Sequence, residues 1–453
     1  MYREFSLGMD QIAFAVGLSG GKNSWLPLFP LNELHPLFAL ASQSWPSKAH
    51  PHVYDLCDVP FDDSSRRNVI ISKLESAKSK IPDFNLIEAE LENTIFPEIS
   101  SLPILIENPA SATIFSPKYG ETTLLGRLWY VIGRIQAYEG KPKRSLKTMM
   151  CILLSGNKFG NKYDNYKFII DDMNETYLTK IGASGLLEIA PDLKLSKREL
   201  QKVFQLLGEI ENKSHTFLTA LESERAVFLN FSADFWALLK KPSVRHSGEI
   251  YYSYLEAFSD MELLKSILSI THDPLIQAVK EPYSAAIPKI NAHRLQIIEQ
   301  MKRHTKFGVH WIGYFFCPER YFLERSLFLA LENSLFNDKG SFLSVYRKKI
   351  RSIEYLHGAK IALALYSYKN EIGTWPGDLN ILEKWVGASF PLDLYSEKQH
   401  FFQVSTAPVL ISVGEDLKPQ TTDDLLFVPV WNDYSFSAVA SSFATNIATE
   451  SIF

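Results

Sequence analysis

Three sets of residues in this chain could do chemistry by type and spacing. His50 and His52 stand two apart and would share one side of a strand, where Asp55 or Asp58 could join them around a metal. The surrounding run, Trp45-Pro-Ser-Lys-Ala-His50-Pro51-His52, is broken by proline, which favours a solvated loop. His357 falls on the apolar stripe of a helix pattern. It is either a buried ligand or a hydrogen-bonded core histidine, and the second is the commoner outcome when no other ligand lies near in sequence. Glu222 and Glu224, beside Arg225, could act as acid and base. On a helix, residues two apart face different ways, so structural contacts of Glu224 and Arg225 with other helices are the simpler reading. No Gly-x-Ser-x-Gly and no His-Glu-x-x-His occurs. These residues leave catalysis undecided and lean against it, and they single out no catalytic residue.

One short loop keeps an enzyme in view. Ser19-Gly20-Gly21-Lys22-Asn23-Ser24 resembles the Ser-Gly-Gly-x-Asp-Ser loop of ATP pyrophosphatases, where small residues let backbone N–H groups surround a phosphate. Asn23 stands in place of that family's Asp. Pro27 and Pro30 fall where a phosphate-binding helix would start. A nucleotide-using enzyme built on Ser19–Ser24 is therefore an alternative function. It requires a strand before the loop and a helix after it.

The elements that must position any such residues are mostly helices. Residues 1–62 are rich in Pro, Gly and Ser and read as an irregular N-terminal segment. Residues 63–340 read as a helical domain. Leu124, Leu128, Val131, Ile132 and Ile135 form one apolar face, Gly140-Lys-Pro142 breaks the chain, and Ser145 to Leu154 returns as a second helix. The spacing predicts further helices over 165–188, 196–211, 214–228, 248–270, 274–279, 290–305 and 321–335. Ser196-Lys-Arg-Glu199 is a capping box. Pro191, Pro242, Pro274, Pro282 and Pro288 are expected to break helices. The aromatic run Trp311 to Phe316, with Tyr321 and Phe322, reads as core packing.

Residues 341–435 change character. Tyr346, Ile350, Ile353, Ile361, Ala364 and Tyr368 recur at helical spacing, whereas Lys348, Lys349, Arg351 and Lys360 fall mostly outside the stripe. The helix should end before Gly373, with Pro376 unable to continue it. A short helix over 379–385 and strands over 400–404, 408–413 and 425–430 follow. The chain is thus expected to be mainly α, an array of helical hairpins followed by a small α+β unit. Residues 436–453 form a tail.

The order of short strings in this unit carries a resemblance. Ala364-Leu-Tyr366-Ser-Tyr368, then Gly373-Thr-Trp375-Pro376 and Leu379-Asn-Ile-Leu382, resemble the segment after the long helix of type II secretion pseudopilins. Pro391-Leu-Asp393-Leu394 resembles that family's Pro-x-Asp-Pro element, with Leu394 in place of the second Pro. Ile411-Ser-Val-Gly414-Glu-Asp416, followed by Asp423 and Asp424, resembles its acidic ending. Uncharacterised helical proteins of planctomycete- and chlamydia-like bacteria are similar in carrying a long helical region before such an ending. The resemblance implies a pilin-like fold for residues 341–435 and a calcium loop at Asp416, Asp423 and Asp424, whose carboxylates are hard oxygen ligands. It also implies a non-enzymatic, envelope-associated scaffold with a protein partner, or a calcium-stabilised secretion-system component.

Composition narrows the remaining classes. The chain has 453 residues, 46% apolar and 22% charged, with a formal net charge of −4. That is a globular composition without the basic excess that nucleic-acid binding calls for. The basic clusters Lys141-Pro-Lys143-Arg144 and Arg347-Lys-Lys349 are short and read as solvated helix faces. Cys57, Cys151 and Cys317 are far apart and read as single buried thiols. No apolar run is long enough to span a bilayer. By resemblance the expected location is the envelope or periplasm; with Met1 as the true start it is the cytoplasm.

Overall fold

The computed structural model describes residues 119–160, 169–213, 217–226, 229, 261–305, 342–404, 408–418, 421 and 423–428. The described region is mainly helical, with one small antiparallel sheet near its C-terminal end. The glycine-rich loop at 19–24, the histidines at 50 and 52, the aromatic run at 311–322 and the cysteines at 57 and 317 lie outside the described residues.

The expected hairpin is present. Helix α1 (Tyr119–Tyr138) turns at Gly140, whose φ of +74° suits glycine, and α2 (Pro142–Gly160) starts on the proline. Helix α3 (Ile169–Ile189) packs against both. It is buried on nearly all sides, and close packing explains how. A Cβ at Gly182 would lie 3.2 Å from the Met149 carbonyl oxygen, and one at Gly185 would lie 2.2 Å from the Met149 sulfur. The missing side chains let α2 and α3 approach closely. Cys151, on α2, is buried there, and burial pushes its thiol up to about 11 against the pull of Lys147.

A 3-10 turn (Ala190–Asp192) leads to α4 (Lys197–Lys213). Its capping box forms as expected: Ser196 N–H donates to Glu199 Oε2 at 2.9 Å, and Glu199 N–H donates to Ser196 Oγ at 3.4 Å. Residues 217–226 are helical, followed by α5 (Met261–Thr271), α6 (Asp273–Ala278) and α7 (Tyr283–Thr305). Helix α7 corrects the expected start at 290. It begins seven residues earlier and runs through Pro288. Pro288 sits in the second turn, where only the Ser284 carbonyl loses its partner. Burial of Tyr283, Ala286 and Ile290 on one face holds the turn in place.

At the α5–α6 junction His272 is fully buried, with its ring edge-on to Phe342 at 5.9 Å and Nδ1 2.9 Å from the Thr271 hydroxyl. Burial, helped by Arg225 and opposed by Asp273, pulls its pKa down from 6.5 to about 3. The unfolded chain therefore takes up this proton first on acidification. The stability tied to neutral His272 is complete above pH 6.5 and is lost as pH falls toward 3. Between pH 6.5 and 4 the loss should be on the order of 3 kcal/mol. In denaturant titrations repeated across that range, His272→Asn should show a visibly flatter acid limb. A limb as steep as that of the parent chain would assign the loss to other groups.

The longest of the described helices, α8 (Phe342–Ile372), is the spine. It ends as expected at Gly373, with φ +88° and its N–H bonded to the Lys369 carbonyl at 2.8 Å. On one side α8 meets α3 and α4. On the other it carries α9 (Leu379–Val386) and the sheet. Asp378 caps α9 by accepting from Ile381 N–H at 2.7 Å. The sheet is an antiparallel meander of β1 (Phe401–Val404), β2 (Pro408–Ser412) and β3 (Leu425–Val428), in that order. Phe401 pairs with Ile411 and Ser412 with Leu425, and a register shift interrupts β2–β3 pairing at Leu410/Ile411. Phe427 seats the sheet on the helix. A Cβ at Gly358 would lie 2.3 Å from its ring. One hydrophobic core runs from Trp129 through α8 to Val428.

This central position of α8 corrects the expectation that its basic residues are solvated. Lys349 and Lys360 are buried. Lys349 Nζ lies 2.5 Å from Asp172 and 3.6 Å from Glu175, both on α3, and Lys360 bonds Glu211 on α4. A helix covered on several sides has no solvated face along its middle, so its cations need buried anions. Among the described residues no helix is long and apolar enough to cross a membrane.

Candidate functional site

Two groups of side chains on the C-terminal unit could hold a cation. The first is the acidic turn between β2 and β3. The chain leaves β2 through Gly414, at φ +64°, where a Cβ would sit 2.6 Å from the Asp423 carbonyl oxygen. Only glycine fits there, and its turn brings residues 416 and 423 together. Oxygens of Asp416, Asp423 and Asp424 all lie within 4.8 Å of one another, with Asp416 exposed, Asp423 half-buried and Asp424 buried. Asp423 Oδ2 accepts from Asp416 N–H at 2.9 Å, and Asp416 Oδ1 accepts from Lys418 N–H at 2.8 Å. The Thr421 hydroxyl sits among the three carboxylates, 3.2 Å from Asp416, 2.8 Å from Asp423 and 3.2 Å from Asp424. One hydroxyl proton can serve one of them at a time. Partial burial raises the Asp423 carboxyl, but hydrogen bonds from Asp416 N–H and Thr421 outweigh it and hold the group below its ordinary value. The donors are all hard oxygens, and the spread suits calcium, whose bonds run about 2.3–2.6 Å.

The turn is held from behind. Asp393, fully buried, accepts from Val413 N–H at 2.9 Å and so pins the end of β2, while also accepting from Tyr395 and Ser396 N–H at 2.8 and 3.2 Å. Glu415, inside the turn, accepts from the Tyr283 hydroxyl at 3.0 Å and faces Arg347 at 3.4 Å. Helices α7 and α8 thus fix the turn's flank.

The second group is buried. His357 and Glu354 stand three apart on α8, and His400 lies just before β1. Glu354 Oε2 is 2.9 Å from His400 Nε2, and Glu354 Oε1 is 3.5 Å from His357 Nδ1. The other nitrogen of His357 is 2.9 Å from Glu211 Oε1, and Glu211 also bonds Lys360. Glu354 Oε1 accepts from Leu394 N–H at 2.6 Å. Glu354, His357 and His400 are each at most 3% exposed. Burial alone would raise Glu354, but the two imidazoles outweigh it and hold its pKa at about 2. Burial likewise opposes charge on His357, yet Glu211 and Glu354 lift it to about 9. Glu211 is held at about 2, its burial outweighed by His357 and Lys360. The result is a chain of alternating charge from Glu211 on α4 through His357 to Glu354 on α8, with His400 bonded to its far end.

His357 is therefore a core histidine, as its position on the stripe suggested, but it is not isolated. Glu354 is a ligand-type neighbour that the sequence reading passed over, although its place three residues before His357 puts it on the same helix face. His400 carries no local signal, because only the return of the chain as a strand places it beside α8. The other candidates separate. Glu222 is exposed, Glu224 Oε1 accepts from Ile169 N–H at 3.1 Å, and Arg225 pairs with Asp273 at 2.6 Å. Glu224 and Arg225 serve helix-to-helix contacts with different partners, with no shared acid–base site. Comparisons of the chain with protein-family models, with curated proteins and with solved structures find no match.

Proposed function

We propose that the chain is a non-enzymatic interaction or scaffold protein of the cell envelope, in which the helical array meets a protein partner and the C-terminal unit is pilin-like. One observation carries this reading: a 31-residue helix supports a three-stranded antiparallel meander, with an acidic turn between its second and third strands. That is the order of elements the pseudopilin resemblance implies, and fold-level likeness is its warrant. Cell fractionation with protease accessibility tests it. Recovery with the envelope supports the reading, whereas exclusive recovery in the cytosol rejects the secretion analogy.

The convergence of Asp416, Asp423 and Asp424 around Thr421 favours a second, narrower reading, a calcium-stabilised secretion component. Bound calcium would place two positive charges among three adjacent carboxylates. The three aspartates would hold it, with Gly414 and Asp393 positioning the turn. Calcium at about 100 times its Kd should stabilise the full chain by about 2.7 kcal/mol, read as a rise in Tm. Asp416→Asn and Asp423→Asn should each abolish that rise. A rise that survives both substitutions places calcium elsewhere, and no rise in the parent chain removes the site.

A further inference from the structure

We propose that Glu354, His357 and His400 form a buried binding site for a divalent transition-metal ion of the zinc class. Two imidazoles with one carboxylate are a zinc donor set, and two nitrogen ligands set it apart from the all-oxygen acidic turn. The spacing fits. Donor atoms around a tetrahedral zinc with bonds of about 2.1 Å lie about 3.4 Å apart. Here Glu354 Oε2 lies 2.9 Å from His400 Nε2 and Glu354 Oε1 lies 3.5 Å from His357 Nδ1, and one donor from each residue lies within 4.8 Å of the others.

The orientation of the rings adds a separate observation. His357 directs Nε2 to Glu211, which leaves Nδ1 on the Glu354 side with no hydrogen-bond partner. A buried polar atom in this state is uncommon and calls for an explanation. His400 turns its Nε2 to the same carboxylate at 2.9 Å, so both imidazoles converge on Glu354. A carboxylate on the remote nitrogen of a histidine is the arrangement that fixes ring and tautomer in metal sites, and Glu211 stands in that place. It is a positioning residue, itself tied to Lys360.

The site is preformed and buried, and its three protein donors leave one position of a tetrahedral ion to a water molecule. Glu354 and His357 share one face of the rigid spine helix, and Leu394 N–H fixes the Glu354 carboxylate. The His400 ring lies 6.0 Å from the Phe427 ring, beneath the sheet. Complete burial points to a structural ion that joins the strand edge to α8. Its metal-free state is the chain of hydrogen bonds and ion pairs described above.

The test uses the full chain, stripped with chelator and titrated with zinc sulfate by calorimetry, then loaded with cobalt(II) for absorption spectra. One equivalent of zinc should bind and survive gel filtration, and cobalt should give the intense d–d bands of a four-coordinate nitrogen/oxygen site. Glu211→Gln should weaken zinc about 10–100-fold at unchanged stoichiometry. His357→Gln and His400→Gln should weaken it further, and Asp423→Asn should leave it intact. Circular dichroism of each metal-free variant separates lost binding from lost folding. The proposal is overturned if the folded parent chain binds no stoichiometric zinc, or if zinc binds undiminished without His357 and His400. If those variants fail to fold, a parent cobalt spectrum of the weak, octahedral type overturns it equally.

Discussion

Asp393→Ala should destabilise the chain by about 3–5 kcal/mol, one of the two largest effects expected of a single substitution here. The carboxylate is fully buried and accepts three backbone N–H groups, from Tyr395, Ser396 and Val413. Hydrogen bonds to a charged acceptor are worth about 1.5–3 kcal/mol each, and a buried donor left unpaired costs about 1–3. Tyr395 and Val413 are buried, so water cannot readily replace the lost acceptor at those amides. Asp393→Asn keeps one oxygen for one of the two sides but turns an N–H toward the other, and should fall between alanine and the parent. The measurement is the denaturant midpoint at unchanged slope, with hydrogen exchange at the Val413 amide as the local readout. An alanine variant within about 0.5 kcal/mol of the parent would show that the three amides find other partners. The loss should also reach function. Freeing the end of β2 loosens the turn that gathers Asp416, Asp423 and Asp424, so calcium stabilisation should weaken in the same variant.

Lys349→Met should be comparably severe, at about 3–5 kcal/mol. Lys349 joins the spine to α3 by facing Asp172 at 2.5 Å and Glu175 at 3.6 Å, with side chains only 5, 0 and 3% exposed. Methionine keeps the volume and removes the cation, which takes one countercharge away from two buried carboxylates in a medium that solvates charge poorly. The cost should come from that lost countercharge more than from lost packing. Lys349→Met/Asp172→Asn should therefore recover part of the loss, with a coupling of about 0.5–3 kcal/mol. Costs that simply add would show that packing, and not charge, sets the effect.

Local rules carried the element boundaries. The capping box at Ser196–Glu199, the stop at Gly373, the short helix after Asp378 and the three strands all follow from side chains acting on backbone within a few residues. Pro288 shows their limit. Its penalty in an early turn is small, and burial of Tyr283, Ala286 and Ile290 outweighs it. Lys349 and Lys360 show another. By periodicity they belong to a polar face, but periodicity assumes one side of the helix in water, and α8 has neighbours on several sides.

The candidate sites divide the same way. The acidic turn was legible because its three aspartates lie within nine residues and one glycine bends the chain between the strands. By itself, then, the sequence determined the mainly helical character, the caps and breaks, and the acidic turn, since each depends on interactions between near neighbours in the chain. Tertiary structure alone decided that His400 meets Glu354 across 46 residues, that Glu211 meets His357 across 146, and that Lys349 meets Asp172 across 177. Such pairs form only where packed elements bring distant segments together, and burial then gives each charge an energetic weight that its position in the chain does not reveal.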